Sequence, residues 1–276
     1  MKSILILTLL AMLLACSNNA VTPPVVLPPA GPVVEIPRKL VWADEFDKDG
    51  LPDAKKWGYD VGGNGWGNNE LQFYTKERAE NARIEGGNLI IEARKESYQG
   101  RNYTSARLLT ASTQTWTYGR MEVRAKLPAG LGTWPAIWML GSNISSAGWP
   151  LCGEIDIMEH VGYDEGIIHG TLHSDAYNHV KGTQKEGKTP LKTATSAFHL
   201  YAIDWTNNQV DFYVDEVKYY SVSARDVGGT QQQWPFTQPF FMILNLAVGG
   251  NWGGLKGVDE TIWPRRMEID YVRVYQ

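Results

Sequence analysis

The sequence predicts an all-β fold, a large antiparallel β-sandwich of the jelly-roll kind. From position 39 onward, short apolar or alternating runs are separated by glycine, proline and asparagine, which is typical of many short strands joined by turns. No long segment free of glycine and proline shows helical periodicity, and no internal repeat suggests a propeller. The chain has 276 residues, 43% of them hydrophobic, which suffices for one domain of this kind.

Individual runs of the sequence carry the strand prediction. Arg120–Leu127 alternates between an apolar face and a charged face, as a half-buried strand does. Asn207 and Asn208 lie between two runs and predict a hairpin, because asparagine tolerates positive φ. The other runs are Leu89–Ala93, Ile167–Leu172, Leu200–Trp205, Val210–Val214, Phe240–Val248 and Met267–Val274.

Composition excludes several classes of protein. The formal net charge is -4 and the chain has no dense block of lysine and arginine, which argues against nucleic-acid binding and against a polybasic membrane-binding patch. The 11 tryptophans and 13 tyrosines are too many for a disordered chain. The amino-acid composition also excludes collagen, coiled-coil and multi-span membrane proteins.

The first 37 residues predict export and anchoring. The apolar run Ile4–Leu14 is too short to span a bilayer but suits a signal peptide. The segment ending in Ala15-Cys16 resembles a bacterial lipobox, so we predict a lipoprotein signal peptide over 1–15 and lipidation of Cys16. An ordinary signal peptide is the alternative. Ser17 resembles the sorting pattern for the outer membrane, which predicts an exported, lipid-anchored protein there.

Residues 16–37 are predicted to form a proline-rich tether, and residues 38–276 the folded domain. The tether contains six prolines and no aromatic residue between positions 17 and 37, so it cannot bury a core. With Cys16 lipidated, Cys152 has no partner for a disulfide, and a Cys16–Cys152 bridge would require a retained signal region. No histidine and asparagine context supports Cys152 as a nucleophile.

Three acidic residues fall close together at Glu154, Asp156 and Glu159. Glu154 and Asp156 share a face of a strand because side chains alternate. Three acids in one β-rich segment are electrostatically costly, so we expect them to have a catalytic role rather than to form a solvated or metal-binding strand face. Glu159 returns to the acidic face only if a β-bulge inserts one residue at Ile157-Met158.

The bulge fixes the distance between the outer glutamates. With it, Glu154 and Glu159 are four strand steps apart, about 13 Å between α-carbons. Two glutamates that lean toward each other leave about 5 Å between their carboxyl groups, the separation of retaining glycosidases rather than inverting ones.

These residues resemble the E-x-D-x-x-E signature of glycoside hydrolase family 16, and the resemblance covers residues 39–276. Three further segments resemble its laminarinase branch, the endo-1,3-β-glucanases: Gly67–Gln72, Trp134–Met139 and Gly249–Trp252. The family implies a curved, concanavalin-like jelly roll with an open glycan-binding cleft. Met158 disfavours the lichenase branch, and Asp215-Glu216 departs from the Asp-Gly turn common in the family.

The resemblance implies roles for the acids. Glu154 would be the nucleophile, Glu159 the acid and then the base, and Asp156 the group that helps to separate their pKa values. It also implies a substrate-binding set, in which tryptophan rings stack on sugars and polar groups supply hydrogen bonds: Asn68, Arg107, Trp134, Trp138, His173 and Trp252. Core packing is the alternative for each tryptophan.

No cofactor is implied for the chemistry. The five histidines lack a regular ligand spacing, which argues against zinc. The family implies a structural calcium ion on the convex face, held here by Asp270 and by the carbonyl groups of Glu45 and Gly87. Exposure of Asp270 to solvent without an ion is the alternative.

The sequence therefore predicts a lipid-anchored, monomeric, retaining endo-1,3-β-glucanase whose partners are β-glucans and, through Cys16, a membrane. Four alternatives remain open: mixed-linkage glucanase activity, transglycosylation in which a sugar instead of water captures the glycosyl-enzyme, an agarase- or carrageenase-type specificity, and a lectin-like glucan-binding module without catalysis. The module is disfavoured because such relatives usually lack one or both glutamates.

Overall fold

The structure is a computed structural model that describes residues 38–276. The predicted signal peptide, Cys16 and the proline-rich tether lie outside the described residues. Among residues 38–276, no helix is long and apolar enough to cross a membrane.

The described chain forms seventeen β-strands and two four-residue helices. The strands are β1 (Leu40–Asp44), β2 (Gly58–Tyr59), β3 (Gln72–Tyr74), β4 (Ala82–Glu85), β5 (Asn88–Tyr98), β6 (Arg101–Ser105), β7 (Arg107–Leu109), β8 (Gly119–Lys126), β9 (Thr133–Gly141), β10 (Glu154–Glu159), β11 (Ile167–His173), β12 (Lys185–Pro190), β13 (His199–Trp205), β14 (Gln209–Val214), β15 (Val217–Ser223), β16 (Phe240–Val248) and β17 (Arg265–Tyr275). The helices are α1 (Ile144–Ala147) and α2 (Ala224–Val227). The predicted all-β class is confirmed.

The strands form two sheets. The ten-stranded sheet has the order β15-β14-β13-β8-β17-β5-β6-β3, with β1 also paired to β17 and β4 to β5. The seven-stranded sheet has the order β12-β11-β10-β9-β16-β7-β2. The pairing is antiparallel except for β3 and β6, which run parallel at one edge.

The core lies between the two sheets. Apolar side chains from both are fully buried there, among them Leu89 on β5, Val123 on β8, Ile155 on β10 and Leu244 on β16. Burial of this apolar surface, at roughly 25 cal/mol per Å², is the main force that stacks the sheets. Residues on the other face of β10 are therefore turned away from the core.

One local prediction was wrong in detail. The hairpin between β13 and β14 exists, but the described residues with positive φ include Asp215 and Glu216, in the next hairpin, and neither Asn207 nor Asn208. The apolar face of β8 is buried as predicted, and on its charged face Arg120 is also only 6% exposed. Its guanidinium lies among carboxylates of the same sheet, which lets a charged side chain be buried.

Candidate active site

The predicted β-bulge is present in β10. Asp156 lies opposite Thr171 of β11 and Glu159 lies opposite His169, so three steps along β10 match two along β11. The register with β9 shifts at the same place. The extra residue returns Glu159 to the face of the sheet that carries Glu154, and both line the same cleft.

The residues inside the bulge show why it forms. Ile155, Ile157 and Met158 are all buried in the core between the sheets, so two successive side chains point inward. Along β11, the positions opposite the two outer glutamates are His173 and His169, four steps apart. This register confirms the predicted count of four steps. Four steps of about 3.3 Å give about 13 Å.

Each outer glutamate accepts a hydrogen bond from one indole. Trp149 Nε1 donates to Glu154 Oε2 at 2.9 Å, and Trp134 Nε1 donates to Glu159 Oε1 at 3.0 Å. An indole N–H can only donate, so each tryptophan holds its carboxyl group in one orientation and favours its ionised form.

His173 joins the two acids that share the regular part of the strand. Its Nε2 lies 3.3 Å from Asp156 Oδ2 and 3.7 Å from Glu154 Oε1. Asp156 is only 2% exposed, so this histidine is close to a carboxyl group that water barely reaches. One ligand atom from each of the three lies within 4.8 Å of the others, a spacing that also suits a metal ion.

Burial shifts the acids strongly toward their protonated forms. Burial, reinforced by the charge of Asp156, raises the pKa of Glu154 to about 8 and the pKa of Glu159 well above its usual range. Burial also raises the pKa of Asp156 to about 8. His173 and the two indoles act in the opposite direction on the glutamates. Three carboxyl groups so close together retain protons near neutral pH, and one of them can act as an acid.

The acids lie on the floor of a cleft of about 720 Å³. Every residue of the predicted substrate-binding set lines this cleft: Asn68, Arg107, Trp134, Trp138, His173 and Trp252. The three tryptophans of the set are half-buried rather than enclosed in the core. Their rings are therefore accessible from the cleft, as stacking on sugar faces requires.

Arg107 lies between two aromatic rings. Its guanidinium carbon is 4.9 Å from the ring centre of Trp66 and 4.6 Å from that of Trp138, and its Nε is 2.9 Å from Asp60 Oδ2. The predicted hydrogen-bonding residue thus also fixes two aromatic walls of the cleft through cation–π contacts.

Two glycines place Trp252. Gly249 and Gly250 have φ of +67° and +79°, a region that side chains with a β-carbon rarely adopt. A β-carbon on Gly250 would lie 3.0 Å from the carbonyl oxygen of Asn68. The tight turn brings Trp252 edge-on to Trp134, with ring centres 5.6 Å apart.

Several residues that line the cleft were not predicted individually from the sequence: Trp66, Glu70, Trp149, His179, Glu186, Asn245 and Asn251. Asn245 carried a signal, because it is the polar residue inside an otherwise apolar strand, and it accepts a hydrogen bond from Trp138 Nε1 at 2.7 Å. Glu70 lies inside a segment that was singled out for its resemblance. Nothing local to the sequence marks His179 or Glu186.

Glu70 is a buried acid at one side of the cleft. It is 5% exposed and accepts hydrogen bonds from Gln72 Nε2 at 2.6 Å and from Tyr74 Oη at 3.2 Å. Burial raises the pKa of Glu70. Tyr74 Oη in turn accepts a hydrogen bond from Asn245, so this network supports the wall that carries Trp138.

Cys152 is fully buried and has no disulfide partner among residues 38–276. Burial, reinforced by the charge of Glu154, raises the pKa of its thiol to about 12. A thiol that does not ionise near neutral pH is a poor nucleophile, which agrees with the sequence argument against a thiol enzyme.

The predicted calcium ligands lie in or next to strands of the ten-stranded sheet. Asp270 lies in β17 at a register shift against β8, and the pairing of β17 with β5 and β1 places it near Gly87 and Glu45. The Asp270 carboxylate is ion-paired with Arg124, with Oδ2 2.5 Å from Nη1. The oxygen donors suit calcium, although one carboxylate oxygen already has a cationic partner.

Cleavage of a glycosidic bond requires a pair of carboxyl groups, one ionised and one protonated, set among accessible aromatic rings. Fold and site together thus define a β-sandwich glycosidase. The sequence profile of Glycosyl hydrolases family 16 matches residues 69–273, and the chain belongs to this family.

Known proteins agree with this assignment. The chain is 56% identical to the beta-glucanase of Rhodothermus marinus over 86% of this chain and 85% of that protein. The crystal structure of the laminarinase from Rhodothermus marinus matches with a TM-score of 0.84, over 87% of this chain and 97% of that chain. A mutant non-specific endo-β-1,3(4)-glucanase with an oligosaccharide at its active site matches with a TM-score of 0.83 and 50% identity, over 87% of this chain and 95% of that chain.

Proposed function

We propose that the protein is a retaining endo-hydrolase of β-1,3-glucosidic bonds in laminarin-type β-glucans, with mixed-linkage 1,3-1,4 glucans as secondary substrates. The observation that carries the proposal is the bulge in β10, which puts Glu159 on the face of Glu154 at a distance of four steps. The laminarinase and the endo-β-1,3(4)-glucanase among the relatives support the substrate class.

The proposed mechanism is a double displacement. In the first step, ionised Glu154 attacks the anomeric carbon while Glu159 gives its proton to the glycosidic oxygen, and the leaving chain departs as an alcohol. In the second step, Glu159 takes a proton from water, whose oxygen displaces Glu154 from the anomeric carbon. Asp156 and His173 set the charge around the nucleophile, and no cofactor takes part.

The alternative specificities have weaker support. A sulfated galactan, the substrate of a carrageenase, would favour a cluster of cations, but Lys188 and Arg107 are the basic side chains other than histidine that line the described cleft. Arg107 is already paired with Asp60. A lectin-like role does not account for three buried acids with raised pKa values.

The decisive experiment measures release of reducing ends from laminarin, lichenan, agar and carrageenan by the purified domain. We expect turnover on laminarin, slower turnover on lichenan and none on the galactans. Proton NMR during hydrolysis of a laminari-oligosaccharide should show the β-anomer first. Release of the α-anomer first would overturn the retaining mechanism, and no turnover on any glucan would overturn the proposed function.

We also propose that the protein is exported, lipidated on Cys16 and held at the outer membrane as a monomer. The support is the lipobox-like segment at 13–16, which lies outside the described residues. Labelling of cells with an alkyne fatty acid should tag the full chain but not its Cys16→Ser variant. Equal labelling of both would contradict the proposal.

A structural calcium ion is the remaining proposal from the family resemblance. The carboxylate of Asp270 and the carbonyl groups of Glu45 and Gly87 would hold it, and it would tie β17 to the neighbouring strands. Such an ion would contribute to stability and would take no part in the cleavage chemistry.

A further inference from the structure

A second carboxylate–histidine contact lies beside the acid/base glutamate. Glu186 of β12 approaches His169 of β11, with Oε1 2.6 Å from Nδ1. His169 is the residue directly opposite Glu159 across the β10–β11 ladder. The mechanism described above uses neither Glu186 nor His169.

His169 is buried against an aromatic wall of the cleft. Its side chain is only 3% exposed, and its ring meets Trp252 edge-on, with ring centres 4.9 Å apart at an angle of 85°. Trp252 in turn packs edge-on against Trp134, which donates its indole N–H to Glu159. A continuous series of contacts therefore runs from Glu186 to Glu159.

Glu186 determines that Nδ1 of His169 carries a proton and how the ring is oriented. The hydrogen bond from His169 lowers the pKa of Glu186, so its carboxylate is ionised and can only accept. His169 Nδ1 must then carry a proton, and the ring is fixed by that bond because its buried Nε2 has no other partner among the described residues.

We infer that Glu186 is a positioning residue for the acid/base step, acting through His169, Trp252 and Trp134 to hold Glu159 in the orientation that protonates the leaving oxygen. This inference rests on the proposed function. Misplacement of a catalytic group by about 1 Å can reduce a rate by about a hundredfold, so loss of such support has a measurable effect.

Leaving-group dependence separates this role from general damage. The 2,4-dinitrophenolate released from 2,4-dinitrophenyl β-laminaribioside leaves without a proton, whereas the phenol released from phenyl β-laminaribioside, an aglycone of similar size, requires a proton from the acid. We expect Glu186→Met to lower kcat/KM about tenfold for the phenyl substrate and less than twofold for the dinitrophenyl substrate. Trp134→Phe, which removes the donor to Glu159, should show the same asymmetry.

The chain offers a matched control. His199 Nδ1 and Asp215 Oδ2 are also 2.6 Å apart, but this pair lies on the ten-stranded sheet and not at the cleft. Asp215→Asn should leave kcat/KM unchanged for both substrates. Glu186→Gln retains an amide oxygen that can accept from Nδ1, so it should restore most of the activity that Glu186→Met loses.

The outcomes are distinguishable. If Glu186→Met lowers kcat/KM equally for both substrates, or for neither, the inference is overturned even if the wild type hydrolyses them. A melting temperature within about 2–3 °C of wild type confirms that the variant is folded. Failure of the wild type on both substrates and on laminarin would instead contradict the proposed function.

Discussion

The indole nitrogen of Trp149 donates to Oε2 of Glu154, five positions further along the chain, at 2.9 Å. Trp149 precedes β10, and its ring packs against His179 with ring centres 4.9 Å apart. The hydrogen bond lowers the pKa of Glu154 against the larger effect of burial, which raises it to about 8. Trp149 therefore helps to keep the proposed nucleophile ionised.

Replacing Trp149 by phenylalanine should shift the acidic limb of the activity profile. Trp149→Phe keeps an aromatic ring beside His179 but removes the N–H that stabilises ionised Glu154, so the pKa of Glu154 rises further. We expect the acidic limb of kcat/KM against pH to move up by about half a unit to one unit, with laminarin as substrate. An unchanged limb with a uniformly lower rate would show that only packing was lost.

Neutralising Asp156 should shift the profile in the opposite direction. The charge of Asp156 raises the pKa of both Glu154 and Glu159, so Asp156→Asn should lower both values. Both limbs of kcat/KM against pH should move to lower pH, by about one unit. Asp226→Asn changes an exposed acid outside the cleft and should leave the profile in place.

Replacing the proposed nucleophile by its amide should abolish turnover and retain binding. Glu154→Gln keeps the size of the side chain but cannot attack the anomeric carbon, so kcat on laminarin should fall by at least about a thousandfold. Isothermal titration with a laminari-oligosaccharide should still detect binding in the cleft. Near-normal turnover would remove Glu154 from its assigned role.

The stability of Glu154→Gln relative to the wild type should increase as pH rises. The folded-state pKa of Glu154 is raised from 4.5 to about 8, so its favourable contribution is complete below pH 4.5 and is lost as pH rises through about 8. A glutamine at 154 loses nothing over that range. The free energy of unfolding of Glu154→Gln should exceed that of wild type by on the order of 2 kcal/mol at pH 8 and by little at pH 4, as measured by urea titration.

Chelation tests the calcium proposal. If Asp270 helps to hold an ion, EDTA should lower the melting temperature of the wild type by several degrees, and added calcium should restore it. Asp270→Asn should lower the melting temperature without EDTA and should respond little to the chelator. A wild-type melting temperature that EDTA does not change would contradict the proposal.

The sequence allowed prediction of the elements whose patterns are local. Phe240–Val248 is apolar except for Asn245 and forms a strand with those bounds. The bulge was predictable because Glu159 otherwise points into an apolar core, and only an extra residue turns it outward. Short strands such as Gly58–Tyr59 were missed because two residues carry no periodicity.

By itself, the sequence determined the all-β class and the face shared by Glu154 and Asp156, because alternation along a strand is a local property. Its resemblance to a known family indicated six of the residues that line the cleft. Only the tertiary structure decided what holds those acids. Trp149, Trp134 and Glu186 come from segments whose proximity depends on sheet pairing and loop paths, and burial shifts a pKa only once the surrounding chain has excluded water.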